Sequence, residues 1–232
     1  MRFPTFTVLL FTIIYNHTFA QTISKPHSKL TDSCPTEIRD IDANIYKTVK
    51  IGNQCWMQSN LKVTKYRDGS VITKVTDALA WANLNKGARC SYENNIKNSY
   101  IYGNLYNWFA VSDKRKICPV GWRVPTDNDW TILSNHLGGD YSAGKIRADG
   151  FKYWNKPNLS ATNESGFTAL PSGRRNFDGS FSNVKYHTYF WTSNLGVENT
   201  TAWNRNFYHD VNFVSRVDSD MNYGFSVRCI KE

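Results

Sequence analysis

The stretch Cys118-Pro119-Val120-Gly121-Trp122-Arg123-Val124-Pro125-Thr126-Asp127-Asn128-Asp129-Trp130 decides how this 232-residue chain folds. Pro125 biases Val124 away from helical geometry, and Thr126 is a good helix N-cap. Asp129 stands where a capping box wants its acidic partner, and Asp127 and Asp129 both favour the positive end of the helix dipole. Trp130, Leu133 and Leu137 then recur at helical spacing, with His136 in the last turn and Gly138-Gly139 as the stop. A helix is therefore expected over Asp127 to Leu137. These residues set a scaffold and carry no chemistry.

Upstream, Tyr46 to Ile51 alternates like a strand, and Gly52-Asn53 turns the chain into Gln54-Cys55-Trp56-Met57. Lys62 to Arg67 reads as a further strand before the Asp68-Gly69 turn. Short helices are expected over Asp77 to Asn85, around Leu105 to Phe109 behind Gly103, and over Ser142 to Ala148. From Phe167 onward the pattern changes to strands and turns: Phe167 to Leu170, Tyr189 to Trp191, a hairpin of Thr201 to Tyr208 with Asn212 to Val217 through His209-Asp210, and a closing strand from Gly224 to Ile230. The expected class is α+β, with short helices early and twisted antiparallel strands and long loops in the C-terminal half.

The ends and the totals bound the setting. Arg2, the apolar run Phe6 to Tyr15 and the small-residue site Thr18-Phe19-Ala20 read as a signal peptide over residues 1–20, cleaved near Ala20. Residues 21–38, with Pro26 and Pro35, read as a polar linker, and 39–232 as one domain. No later stretch is long and apolar enough to span a bilayer. The product is expected to be secreted, periplasmic or on the cell surface, where nucleic acid is excluded as a partner. The 28 basic residues exceed the 19 acidic ones, for a net charge of +9; their scatter reads as a solvated basic surface rather than an anion-binding patch. Aromatic residues make up 15%, with eight Trp, which points to a loop-rich domain with aromatic anchors. Cys34, Cys55, Cys90, Cys118 and Cys229 read as structural disulfides with one thiol left over, and their spacings do not match a zinc site.

A run of blocks in order resembles the Fibrobacter succinogenes major paralogous domain, over about Asp40 to Glu232. They are Asp40-Ile41-Asp42-Ala43-Asn44-Ile45-Tyr46, Ile51 to Met57, Asn60-Leu61-Lys62, Tyr102 to Trp108, Cys118 to Trp130, Ala161 to Pro171, Tyr189 to Ser193 and Gly224 to Cys229. One departure is Ala43, where the family usually has Gly; Asn44 is then expected to take any left-handed turn conformation. The resemblance implies a C-type-lectin-like fold, related to the formylglycine-generating enzymes and to phage-type receptor-binding proteins. It also implies a bridge between Cys118 and Cys229. Of the rest, Cys34–Cys55 flanks the first strand and would leave Cys90 free; Cys55–Cys90 is the competing pairing.

Candidate chemistry is sparse. Formylglycine generation needs redox-active cysteines in the last third of the chain, and none lies between Cys118 and Cys229. No nucleophile elbow, phosphate-cradling loop or His-Glu-x-x-His occurs, and His27, His136, His187 and His209 are far apart in sequence. Asp218-x-Asp220-x-Asn222 begins like a calcium loop but has Tyr223 where Gly is needed and Cys229 where Glu is needed. Asp40-x-Asp42-x-Asn44 fails at Ile45. No catalytic residue, metal site or cofactor is expected. The remaining candidates form an aromatic and polar C-terminal set: Trp203, Arg205, Asn206, Tyr208, His209, Asp210, Asn212, Arg216 and Tyr223. Such residues suit adaptable binding surfaces. The expected function is non-catalytic recognition of an extracellular polysaccharide or cell-surface protein. The alternatives are a structural or adhesion module without a discrete site, and a glycan hydrolase.

Overall fold

A computed structural model describes residues 1–4 and 33–232 of the chain. Most of the expected signal peptide, and the linker as far as residue 32, lie outside the described residues. The chain divides into two units, Met1–Ser33 and Cys34–Glu232, and among the described residues every strand and helix lies in the second. It begins inside the stretch read as linker. Cys34 is bridged to Cys55, and Glu37–Arg39 already forms a strand.

Strands β1 (Glu37–Arg39), β2 (Ile45–Ile51), β3 (Gln54–Met57) and β4 (Thr73–Lys74) precede helix α1 (Ala78–Ala82). Then come β5 (Ala88–Cys90), α2 (Ile96–Tyr102), β6 (Leu105–Tyr106), α3 (Trp108–Val111), β7 (Trp122–Arg123), α4 (Asp127–His136) and α5 (Ala143–Ile146). The C-terminal part holds β8 (Ser172–Arg175), β9 (Phe181–Val184), β10 (His187–Leu195), β11 (Thr201–Tyr208), β12 (Ser215–Asp220) and β13 (Ile230–Lys231). The class is α+β. One sheet has the order β1-β2-β3-β13-β7, a second β12-β11-β10-β8-β9, and a third β4-β5-β6. The second sheet is antiparallel except where β8 runs parallel to β10.

Local chemistry explains the best-read elements. Thr126 Oγ1 accepts the Asp129 backbone N–H, and the Asp129 carboxylate accepts the Thr126 N–H, so the capping box closes as expected. Arg123 clamps the same carboxylate with two nitrogens. In the β2–β3 hairpin Gly52 has φ +57°, and a Cβ there would meet the His136 ring. The Asp40 turn differs from expectation: Ala43 itself, not Asn44, takes the left-handed conformation, with φ 62°. The Asp40 carboxylate forces this by accepting from the backbone N–H groups of Asp42 and Asn44, from Asn44 Nδ2 and from the Tyr46 hydroxyl.

The helix buries Trp130, whose ring lies 5.0 to 6.1 Å from those of Trp56, Phe167, Phe190 and Phe207. This cluster joins the first two sheets. The last segment sews all three together. Gly224 exchanges backbone hydrogen bonds with Arg175, Phe225 with Tyr106, and Ser226 with Tyr189 and Trp191. The Val227 and Cys229 carbonyls then accept from Leu61 and Met57, and Ile230 pairs with Trp56 and Arg123. The closing strand expected from Gly224 to Ile230 is therefore a series of bridges, with regular pairing confined to Ile230–Lys231. Phe167 to Leu170 is likewise not a strand, because Thr168 is left-handed (φ 58°) and only Ala169 bridges, to Arg147. Lys62 to Arg67 holds a single bridge, Lys65 to Val71. Leu105-Tyr106 is strand rather than the start of a helix, which begins only at Trp108.

Both expected disulfides form, Cys34–Cys55 and Cys118–Cys229. Cys90 is free and buried on β5, where burial pushes its thiol pKa up to about 11. The interior also holds three fully buried arginines, which the reading of a solvated basic surface did not foresee. Arg228 donates to Asn60 Oδ1 and to the Phe167 carbonyl, with its guanidinium 4.2 Å from the Phe167 ring centroid. Arg175 donates to the carbonyls of Val75, Thr76, Asp77 and Gly179 and lies 4.4 Å from the Trp81 centroid. Arg147 donates to those of Tyr208, Val211 and Leu159.

Replacing Arg228 by Lys keeps the charge but removes the planar fork, leaving buried acceptors unpaired; urea unfolding should show a loss of about 3 kcal/mol. Ala43→Gly relieves the left-handed strain and should raise stability by about 1 kcal/mol in the same assay.

Candidate functional site

Alternation along β11 sends Trp203, Arg205 and Phe207 to one face of the second sheet, and Asn204, Asn206 and Tyr208 to the other. The nine candidate residues therefore do not form one surface. Both faces of β11 are largely covered, so the strand does not offer the open binding surface expected of these residues. Arg205 is 4% exposed and Asn206 3%.

On the first face the cover is the start of α4. Arg205 donates through Nε and Nη2 to Asp127 Oδ1 at 3.0 and 2.7 Å, and through Nη2 to Thr131 Oγ1 at 2.9 Å. Arg216, its cross-strand neighbour on β12, donates from Nε to Asp127 Oδ2 at 2.7 Å. Its guanidinium carbon lies 3.4 Å from the Trp203 ring centroid. One carboxylate thus anchors two arginines, and Arg205 acts as a helix-to-sheet tie rather than as an exposed ligand contact. Asp127 was read only as a dipole partner.

The opposite face carries rings. On β10, His187 and Tyr189 stand opposite Tyr208 and Asn206. Phe225 is sandwiched between Tyr189 (5.1 Å, interplanar 17°) and Tyr223 (5.3 Å, 24°). The Arg174 guanidinium lies 5.0 and 5.1 Å from the Tyr189 and Tyr223 centroids. Tyr208 meets the His187 ring edge-on at 4.7 Å, and Tyr186 meets the His209 ring at 5.1 Å. Asn206 Nδ2 reaches the Tyr208 hydroxyl at 3.4 Å, while its buried Oδ1 has no hydrogen-bond partner among the described residues. Tyr208, His209, Asp210 and Tyr223 are at least partly exposed here.

The turn after β11 is held from below. The buried Arg147 guanidinium binds the Tyr208 and Val211 carbonyls, and burial pulls its pKa below the ordinary arginine value. Asn212 is a structural residue: its Oδ1 accepts from the Gly144 N–H at 2.6 Å and its Nδ2 donates to the Tyr141 carbonyl at 2.9 Å. His187 and His209, separate in sequence, are brought to a ring distance of 6.2 Å by the β10–β11 pairing. With Asp210 they offer one donor atom each, all within 4.8 Å of one another. Burial, and then the neighbouring His209, lowers the His187 pKa and favours the neutral ring.

Arg174, His187 and Tyr189 were absent from the candidates; the alternation His187-x-Tyr189-x-Trp191 is the signal that could have found them. The calcium-like run is the end of β12 and the turn after it: Asp218 and Asp220 pair with Trp203 and Thr201, Asp218 Oδ2 accepts from the Val197 N–H, and Asp220 Oδ1 accepts from the Asn222 N–H. Elsewhere two clefts of about 300 and 330 Å³ flank Cys118 and share Arg67, whose Nε donates to the Cys118 carbonyl at 2.7 Å and Nη2 to that of Pro119.

Against known proteins, the family model described as Fibrobacter succinogenes major domain matches residues 49–231. No curated protein and no solved structure matches the chain.

Asp127→Ala would strand the buried Arg205 without its carboxylate, and urea unfolding should register a loss of about 3 to 5 kcal/mol. Arg216→Ala, at the exposed end of the same pair of bridges, should change stability by about 1 kcal/mol or less.

Proposed function

The chain belongs to the Fibrobacter succinogenes major domain family, and we propose that it is a secreted, non-catalytic binding domain of C-type-lectin-like fold that recognises an extracellular polysaccharide. Its two disulfides suit an extracellular or periplasmic setting. Among the described residues no helix is long and apolar enough to cross a membrane.

The observation that carries this reading is the ring face of the second sheet. Tyr223, Arg174, His187 and Tyr208 are its partly exposed members, backed by the buried Tyr189 and Phe225, with Phe225 stacked against both Tyr189 and Tyr223. Sugar rings offer flat C–H faces and a rim of hydroxyls. Aromatic side chains with polar tips complement both at once, with little conformational entropy to lose. A protein partner would favour a contiguous apolar patch, whereas the exposed large apolar residues named by position, such as Leu79, Val120 and Val197, come from separate loops and helices.

A glycan array probed with the purified protein tests the reading. Binding should weaken about tenfold or more in Tyr208→Ala and Tyr223→Ala, the scale of losing one aromatic anchor. Trp203→Ala, on the opposite face, should bind as wild type. The reverse pattern would move the site to the α4 side. Self-association without any glycan binding would favour the adhesion module, and glycan cleavage the hydrolase.

A further inference from the structure

We infer that His187, His209 and Asp210 form a binding site for a divalent transition-metal cation of the zinc type. The three residues come from the end of β11 and the start of β10, and their donor atoms all lie within 4.8 Å of one another. Zinc takes imidazole nitrogen and carboxylate oxygen at about 2.0 to 2.2 Å, so two donors on one tetrahedral ion stand about 3.4 Å apart. His209 Nδ1 and Asp210 Oδ1 are already 3.3 Å apart. Yet His209 Nδ1 is buried and makes no hydrogen bond with the geometry of one among the described residues. That spacing fits two ligands of a shared ion.

The second histidine is also prepared. His187 Nδ1 lies 3.0 Å from the Tyr189 hydroxyl, which in turn accepts from Asn183 Nδ2. This contact fixes the ring, and ligation through Nε2 would keep it, giving the outer-shell arrangement common to metal-bound histidines. Tyr208 and Tyr186 wall the two imidazoles edge-on.

The backbone is pinned as well. The His209 N–H donates to the Tyr186 carbonyl, the His209 carbonyl accepts from Leu159, and Arg147 grips the carbonyls on either side of the turn. Little ordering is left for the ion to impose.

Two imidazoles select zinc, nickel or copper over calcium and magnesium, which take oxygen ligands. Three protein donors leave the remaining positions to water or to an oxygen of a bound molecule. Asp210 is the only anionic donor, and the buried Arg147 cation lies close enough to feel its charge. Both facts make this a site of moderate affinity. It shares His187 with the proposed polysaccharide face, and its readout, the metal alone, tests it separately from that reading.

Metal-free, untagged protein titrated with zinc chloride in a calorimeter should take up one equivalent per chain. His187→Ala, His209→Ala and Asp210→Asn should each weaken binding about tenfold or more, while His136→Ala, on α4, should not. In wild-type protein, nitrogen NMR of the imidazoles should show shifts at His187 and His209 and none at His136, a readout that needs no variant to fold. Absence of saturable binding up to millimolar zinc, equal binding after removal of both histidines, or a response centred on His136 would overturn the site.

Discussion

Three positive charges buried without carboxylate partners among the described residues constrain everything else in this domain. Arg147, Arg175 and Arg228 are fully buried, and their acceptors are backbone carbonyls and the Asn60 amide. The chain needs them because its strands are short and its connections long. Loop carbonyls that enter the interior find no ladder partner, and an unpaired buried carbonyl is costly. A guanidinium offers five donors in a fixed plane and sits over rings such as Phe167 and Trp81. Each arginine therefore gathers several loops distant in sequence onto one aromatic surface. The desolvation of the cation is offset by charge-assisted hydrogen bonds.

These ties work together with the C-terminal segment. Residues 224 to 230 touch β8, β6, β10, β3 and β7 in turn, so the sheets cannot separate without releasing the chain end. Arg228 lies within that segment, and Cys229 next to it is bridged to Cys118, just ahead of β7. The ring face used for the proposed recognition is a by-product of the same seam. Phe225 is at once a bridge partner of Tyr106 and the middle ring of the Tyr189–Tyr223 column.

Features that depend on neighbours in sequence were legible. The capping box at Thr126, the Gly52-Asn53 turn and the span of β11 follow from residue order alone. The disulfide pairing followed from resemblance and from flanking positions, not from composition. Features that depend on what covers a strand were hidden. Alternation predicts two faces for β11 but not that α4 roofs one of them, so Arg205 read as exposed. The helix α2 escaped notice because Ile96, Tyr100 and Ile101 point outward, which erases the apolar periodicity of an ordinary surface helix. His187 and His209 read as isolated because only the β10–β11 register brings them together. Ala43 misled through its neighbour: Asn44 tolerates a left-handed turn better, yet its amides are already engaged by Asp40.

The burial of Cys90 bears on how an odd number of thiols survives oxidative assembly. Exchange of sulfur bonds proceeds through the thiolate, and a thiol held near pKa 11 supplies very little of it. Once β5 packs beneath Trp81 and Leu105, the fifth sulfur is withdrawn from the pool that could attack Cys55 or capture a foreign chain. The third sheet thus serves as a quarantine, and the correct pairing persists because its competitor has been put out of reach.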